Sequence, residues 1–160
     1  RLARFYGVSV KDLNYSERVE IPFEDGVTAG IARECVDATL LINLPKVKTH
    51  FENGMSVCLK NLMGMNHDNW GFHQGDLYLH QAIVDLASVF SPALCLVDAT
   101  TILTERGPFG PGKVIHPKKV YAGKDMVGLD ALCCNLLCAL AHCSRMPLQV
   151  FSGETTPFRG

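Results

Sequence analysis

Polar and apolar residues alternate along Arg18-Val-Glu-Ile-Pro-Phe23. This period of two is that of a half-buried strand, and Pro22, which has no amide proton to give, assigns it to a sheet edge. Glu24-Asp-Gly26 reads as a turn and residues 27–36 as a short helix. Ala38-Thr-Leu-Leu-Ile-Asn-Leu44 is a continuous apolar run, the pattern of a strand buried on both faces as in parallel sheets, and Pro45 ends it. Residues 55–65 have helical character, with Gly64 near their end. Residues 76–90 form the clearest amphipathic helix, because Leu79, Ile83, Leu86 and Val89 or Phe90 recur at helical spacing before Pro92. Ala93-Leu-Cys-Leu-Val97 predicts a second buried strand closed by Asp98, and Lys119-Val-Tyr-Ala122 a third. Between them, residues 104–117 form a long loop with Gly107-Pro108 and Gly110-Pro-Gly112. Asp125 suits the N-cap of an apolar helix over 126–141, and Gly7 suits the C-cap of a short opening helix.

Strands alternating with helices predict an α/β fold: a mainly parallel sheet flanked by helices in three layers. Residues 1–34 read as an N-terminal extension or the remnant of a longer domain, 35–143 as the core, and 144–160 as a tail rich in Pro, Gly and Thr. Parallel strands over 38–44, 93–97 and 119–122 would bring their carboxyl ends to one edge, where open α/β sheets bind ligands. That edge would carry Lys46, Lys48, Thr49 and His50, then Asp98, then Lys124 and Asp125.

The chain has 160 residues, 19% of them charged, with a formal net charge of −1. That balance argues against a general nucleic-acid binder and against a polybasic membrane anchor. The apolar stretch 126–141 is short for a bilayer span of about 20 residues and contains Asp130 and Asn135. The seven cysteines, Cys35, Cys58, Cys95, Cys133, Cys134, Cys138 and Cys143, are odd in number and include no Cys-x-x-Cys pair. Most lie among Leu, Val and Ala, which predicts reduced core thiols and a cytoplasmic setting. The first residue is Arg and no signal-peptide pattern follows, so the chain reads as a piece of a longer protein or a processed product.

Lys46 and Lys48 are two residues apart, so extended backbone puts both ammonium groups on one face. Thr49 adds a hydroxyl, and His50 exchanges a proton near neutral pH. The set suits a phosphate, a carboxylate or a developing enolate; its plain alternative is a solvated loop with two surface lysines. Lys60 and Asn61 interrupt a helix that otherwise looks buried, so they face the crevice or reach for solvent. Asp98 and Asp130, in apolar surroundings, need partners, for which Lys48, Lys60 or a backbone amide would serve; an inert ion-pair network is the alternative to catalysis. His67 and His73 flank Trp70 and Phe72 in a loop that would suit a lid. His73 and His80 are candidate metal ligands at a spacing that matches no established motif, and Asp76 and His80 also form an ordinary i,i+4 pair. With no Gly-x-Gly-x-x-Gly and no Walker loop, a standard dinucleotide or nucleotide site is not expected.

The run Asn43-Leu-Pro-Lys-Val-Lys-Thr-His50, followed by Leu59-Lys-Asn-Leu62 with Gly64, His80 with Asp85, Val97-Asp98, Gly107-Pro108 and Ala122-Gly-Lys-Asp125 with Asp130, resembles the domain of unknown function 362 family. The resemblance covers about 35–143. The resemblance implies no assigned activity. It does imply a neighbour, since many members carry a ferredoxin-like domain with two four-iron clusters. No Cys-x-x-Cys-x-x-Cys run occurs here, so no such iron-sulfur cluster is expected in this chain.

Three functions follow as alternatives. The first is a redox-linked enzyme for a small anionic molecule, partnered by a ferredoxin-like domain or protein. In it Lys46, Lys48, Thr49, Asn61 and Lys124 hold the anion, His50 handles a proton, and Lys60 and Asp98 orient or balance charge. The second is a non-enzymatic module that binds a metal or helps assemble an iron-sulfur centre, and the third is a structural or interaction domain. No cofactor is specified, and the histidines leave a metal open.

Overall fold

In the computed structural model, which describes residues 2–23, 26–67 and 76–141, a helical turn α1 (Leu2–Tyr6) ends at Gly7. Gly7 has a φ of 66°, a conformation that only glycine adopts at little cost. The next elements are β1 (Arg18–Pro22) and β2 (Thr28–Ala32), an antiparallel pair that places Pro22 opposite Thr28. The helix expected over 27–36 is therefore a strand followed by one turn, α2 (Arg33–Val36). Pairing with β1 decides the matter, because Gly26 turns the chain back at a φ of 83° and the buried Ala29, Ile31 and Ala32 need a partner strand more than local helix bonds.

The main sheet contains β3 (Ile42–Asn43), β4 (Lys46–His50), β5 (Gly54–Ser56), β6 (Leu94–Leu103), β7 (Val114–Ile115) and β8 (Lys119–Gly123). It is a mixed sheet. β3 and β4 run along one side of β6, both parallel to it. β5 is antiparallel to β4 on the outer flank, while β7 and β8 are antiparallel to β6 on its other side. The expected parallel pairing of the first two strands is present. The third strand, β8, runs the other way, with Lys119 opposite Ala99 and Gly123 opposite Cys95. The connection explains this: residues 104–118 hold Pro108, Pro111 and Pro117 and no helix, and a hairpin return needs none. β6 also continues through Asp98 to Leu103 instead of ending there.

After β5 come the single turn α3 (Cys58–Asn61), a 3-10 turn over Leu62–Met65, and α4 (Asp76–Val89). The helix α5 (Met126–Ala141) closes the described chain, and Asp125 caps its start by accepting from the Gly128 amide at 3.0 Å. Two apolar clusters result. In one, Leu129, Cys133 and Leu137 of α5, spaced one turn apart, pack with Val47, Val57, Cys58, Cys95, Val97 and Ile102. In the other, Leu79, Ala82, Ile83 and Leu86 of α4 meet Phe23, Ala29, Ile31, Leu62, Met63 and Met65. The hairpin β1–β2 is thus part of the packing beneath α4.

One face of β6 is buried and the other is not. Cys95, Val97, Ala99 and Ile102 are fully covered, whereas Leu96 is 37% exposed, and Leu44 just after β3 and Val120 on β8 are 65% and 63% exposed. The run 38–44, expected to be covered on both faces, is covered on one, with Asn43 inward and Ile42 outward. The expected second helical layer is not among the described residues. No described helix is long and apolar enough to cross a membrane.

These two faces predict opposite responses. Ile102→Ala should lower the unfolding free energy by about 2–5 kcal/mol, and Val120→Thr should change it by less than about 0.5 kcal/mol; urea titrations of both variants check the contrast.

Candidate functional site

The chemistry gathers where β4 meets α3. Lys46, Lys48 and His50 alternate with Val47 and Thr49 along β4, and the first three line one cavity together with Ser56, Lys60, Asn61, Gly64, Pro108 and Phe109. Its volume is about 400 Å³. Strand geometry delivers the first three: residues two apart share a face.

Lys60 and Asn61 arrive through α3, whose start is held from outside. Val57 offers no side-chain cap. Instead the buried Asp130 on α5 accepts from the Cys58 amide at 2.7 Å and the Leu59 amide at 3.1 Å. Of the partners expected for Asp130, backbone amides are the ones used. Burial pushes its carboxyl up from the ordinary value, against those two hydrogen bonds, which favour the ion. At the other end of α3, Asn61 Nδ2 donates to Asn43 Oδ1 at 2.7 Å, and Asn43 Nδ2 donates to the Cys58 carbonyl at 2.9 Å. Asn43 therefore clamps α3 to β3.

His50 is 7% exposed. Its Nδ1 accepts from the Glu52 amide at 3.2 Å and the Asn53 amide at 3.5 Å. An acceptor nitrogen carries no proton, so the neutral ring keeps its proton on Nε2. Phe51 stacks on the imidazole, ring centroids 5.0 Å apart. Burial lowers the Lys60 amine from the usual lysine value; Glu52 opposes this and Lys48 adds to it.

Thr49 faces away from the cavity. Its hydroxyl donates to the Leu103 carbonyl at 3.3 Å and accepts from the Gly107 amide at 3.2 Å. A side chain at Gly107 would collide with the Thr49 carbonyl, so glycine is required by close approach of two backbones. Thr49 therefore positions the loop that carries Pro108 and Phe109 to the cavity.

Asp98 accepts from Lys46 Nζ at 2.7 Å and from the Thr100 amide and hydroxyl at 2.8 and 2.6 Å. The Lys46 bond, then Thr100, hold its carboxyl down at about 2. It is ionised near neutral pH and is paired with Lys46. The pair's contribution is present above the ordinary carboxylate range and is lost as pH falls through about 2. With both side chains about half exposed, it is worth under about 1 kcal/mol.

A model of a family described as a domain of unknown function (DUF362) matches residues 1–135. The chain belongs to the DUF362 family. No curated protein and no solved structure matches it. The match begins at residue 1, ahead of the motifs that carry the resemblance.

In this DUF362 chain the expected site divides. Lys46, Lys48, His50, Lys60 and Asn61 converge on the cavity, with Thr49 and Asp98 behind its wall. Lys124 does not join them: it follows the end of β8, opposite the start of β6, because that strand is antiparallel. His80 is exposed and touches Asn53 Nδ2 at 3.1 Å through its Nδ1, and His73 lies outside the described residues. Among the described residues no group of three or more His, Cys, Asp or Glu side chains is placed to hold a metal. Cys58 and Cys133 are buried, and burial pushes both thiols up, Cys133 to about 11. They stay protonated and serve as packing. Asn43, Phe51, Gly64 and Phe109 were not among the expected residues. Asn43 alone left a signal, as an amide inside an apolar run.

Asp130→Ala would strand two backbone amides at the start of α3 and should cost about 2–4 kcal/mol, read by denaturant unfolding. Gly107→Ala should cost about 1–3 kcal/mol by forcing the loop off Thr49, again read by unfolding.

Proposed function

We propose that this chain binds a small anionic molecule, a carboxylate or a phosphate, in the cavity between β4 and α3. One observation carries the reading: three lysines, Lys46, Lys48 and Lys60, and the buried His50 line one small cavity. Like charges gathered this closely repel one another, and an anion among them removes that repulsion. Asp98 offsets only Lys46, through the ion pair at 2.7 Å. Glu52 lies near enough to Lys60 to favour its charge but does not line the cavity. Asn61 adds an amide on the cavity wall, and the His50 ring keeps its proton on Nε2. A second cavity, about 370 Å³ beside α2 and the end of α4, is lined by Ile21, Val36, Leu41 and Phe90 and has no lysine or carboxylate.

Gly64 provides a steric test, because a side chain built on it meets no atom within 4 Å and would enter open space beside the cavity. Thermal melts against sulfate, phosphate, acetate and pyruvate read the site. An anion at about 100 times its dissociation constant should add about 2.7 kcal/mol of stability. Lys48→Ala and Gly64→Leu should remove that gain with the unliganded melt retained, whereas Asp98→Asn, which uncovers Lys46, should tighten binding. Melts that no anion raises, or equal gains in all variants, would overturn the reading. Binding should also weaken as pH rises toward the lysine range, because Lys60 loses its charge below the usual lysine value.

A further inference from the structure

We infer that Lys60 forms a reversible imine with an anionic carbonyl compound, a 2-oxo acid, held in the cavity of Lys46, Lys48 and His50. This rests on the anion-site reading and adds a covalent step to it. Lys60 differs from Lys46 in its surroundings. Lys46 is half exposed and paired with Asp98. Lys60 stands on the last turn of α3, partly buried beside Met63 and Val57, with Lys48 as a charged neighbour across the cavity wall. An amine attacks carbonyl carbon only when unprotonated, and partial burial next to another cation raises the unprotonated share of a lysine amine. Glu52 acts in the opposite sense, so the balance is set by burial and Lys48 together.

The geometry also matches the two ends of a 2-oxo acid. Lys46 and Lys48 project from the same strand face and suit the carboxylate. Lys60 comes from a different element and suits the adjacent carbonyl carbon. His50, with Nδ1 occupied by two amides, keeps its proton on Nε2, where it acts as a neutral donor for the carbonyl oxygen. In the step itself the Lys60 nitrogen lone pair forms a bond to the carbonyl carbon, and the C–O π pair moves onto oxygen. The two N–H protons leave with that oxygen as water, and a C=N bond remains. Amine plus ketone give imine plus water, with no change of oxidation state.

The test uses the full chain with pyruvate, glyoxylate or 2-oxoglutarate and sodium cyanoborohydride near neutral pH, followed by peptide mapping. Melts with each acid and with sulfate, without reductant, run in parallel. The expected result is a single reduced adduct on the Lys60 peptide. It should be lost in Lys60→Arg, which keeps the positive charge, and also in Lys48→Ala, which removes a cation that holds the carboxylate. Adducts confined to exposed lysines such as Lys118, Lys119 and Lys124, or none with any of the three acids, would overturn the imine. If the melts still rise with anions in that case, the anion site stands without it; if they do not, both readings fall. Should Lys60→Arg fail to fold, the map of the unaltered chain decides, because it requires no variant.

Discussion

A carboxylate on one helix holds the start of another. Asp130 sits on the inward face of α5, and its two oxygens take the amides of Cys58 and Leu59. α3 is a single turn, too short to persist by its own hydrogen bonds. Its position depends on this contact, on the Asn43–Asn61 amide pair and on Cys58 buried in the core. Lys60 lies between these two anchors. A short element pinned at both ends can hold a long, charged side chain at the edge of a core. A free loop would surrender it to solvent.

The core around that carboxylate has two parts with different work. The cluster between α5 and the main sheet fixes Val47 and therefore the pitch of β4, which decides that Lys46, Lys48 and His50 share a side. The cluster beneath α4 fixes Leu62, Met63 and Met65. The cavity lies at the seam, with β4 on one side and the α3 turn on the other. Its polar lining is presented by backbone that is packed from behind, as precise positioning requires.

Much of this was legible in the residues. Period-two alternation located β1 and aligned Lys46 with Lys48, and the 3.6-residue rhythm of Leu79, Ile83 and Leu86 located α4 and its buried face. What failed was direction and depth. An apolar run reports burial, not which way a strand points. The direction of β8 was encoded in the connection, where prolines replace a crossover helix, and overlooking it misplaced Lys124. Apolar content also overstated cover for 38–44, since Leu44 is exposed while the polar Asn43 is buried. The partners of Thr49 and Asp130 are separated from them by 58 and 72 residues, a distance over which no local pattern reaches.

The register break between Lys46 and Lys48 separates two jobs that a regular ladder would fuse. Lys46 is opposite Asp98, Lys48 is opposite Leu103, and just beyond Leu103 the chain leaves the sheet to form the loop that brings Pro108 and Phe109 to the cavity. Lys46 and Lys48 belong to a strand and Lys60 to α3, and the apolar rim belongs to a hairpin tip attached through Thr49 and Gly107. Phe109, which is 89% exposed, can therefore change without disturbing the strand pairing that sets Lys46 and Lys48, whereas Gly107 cannot.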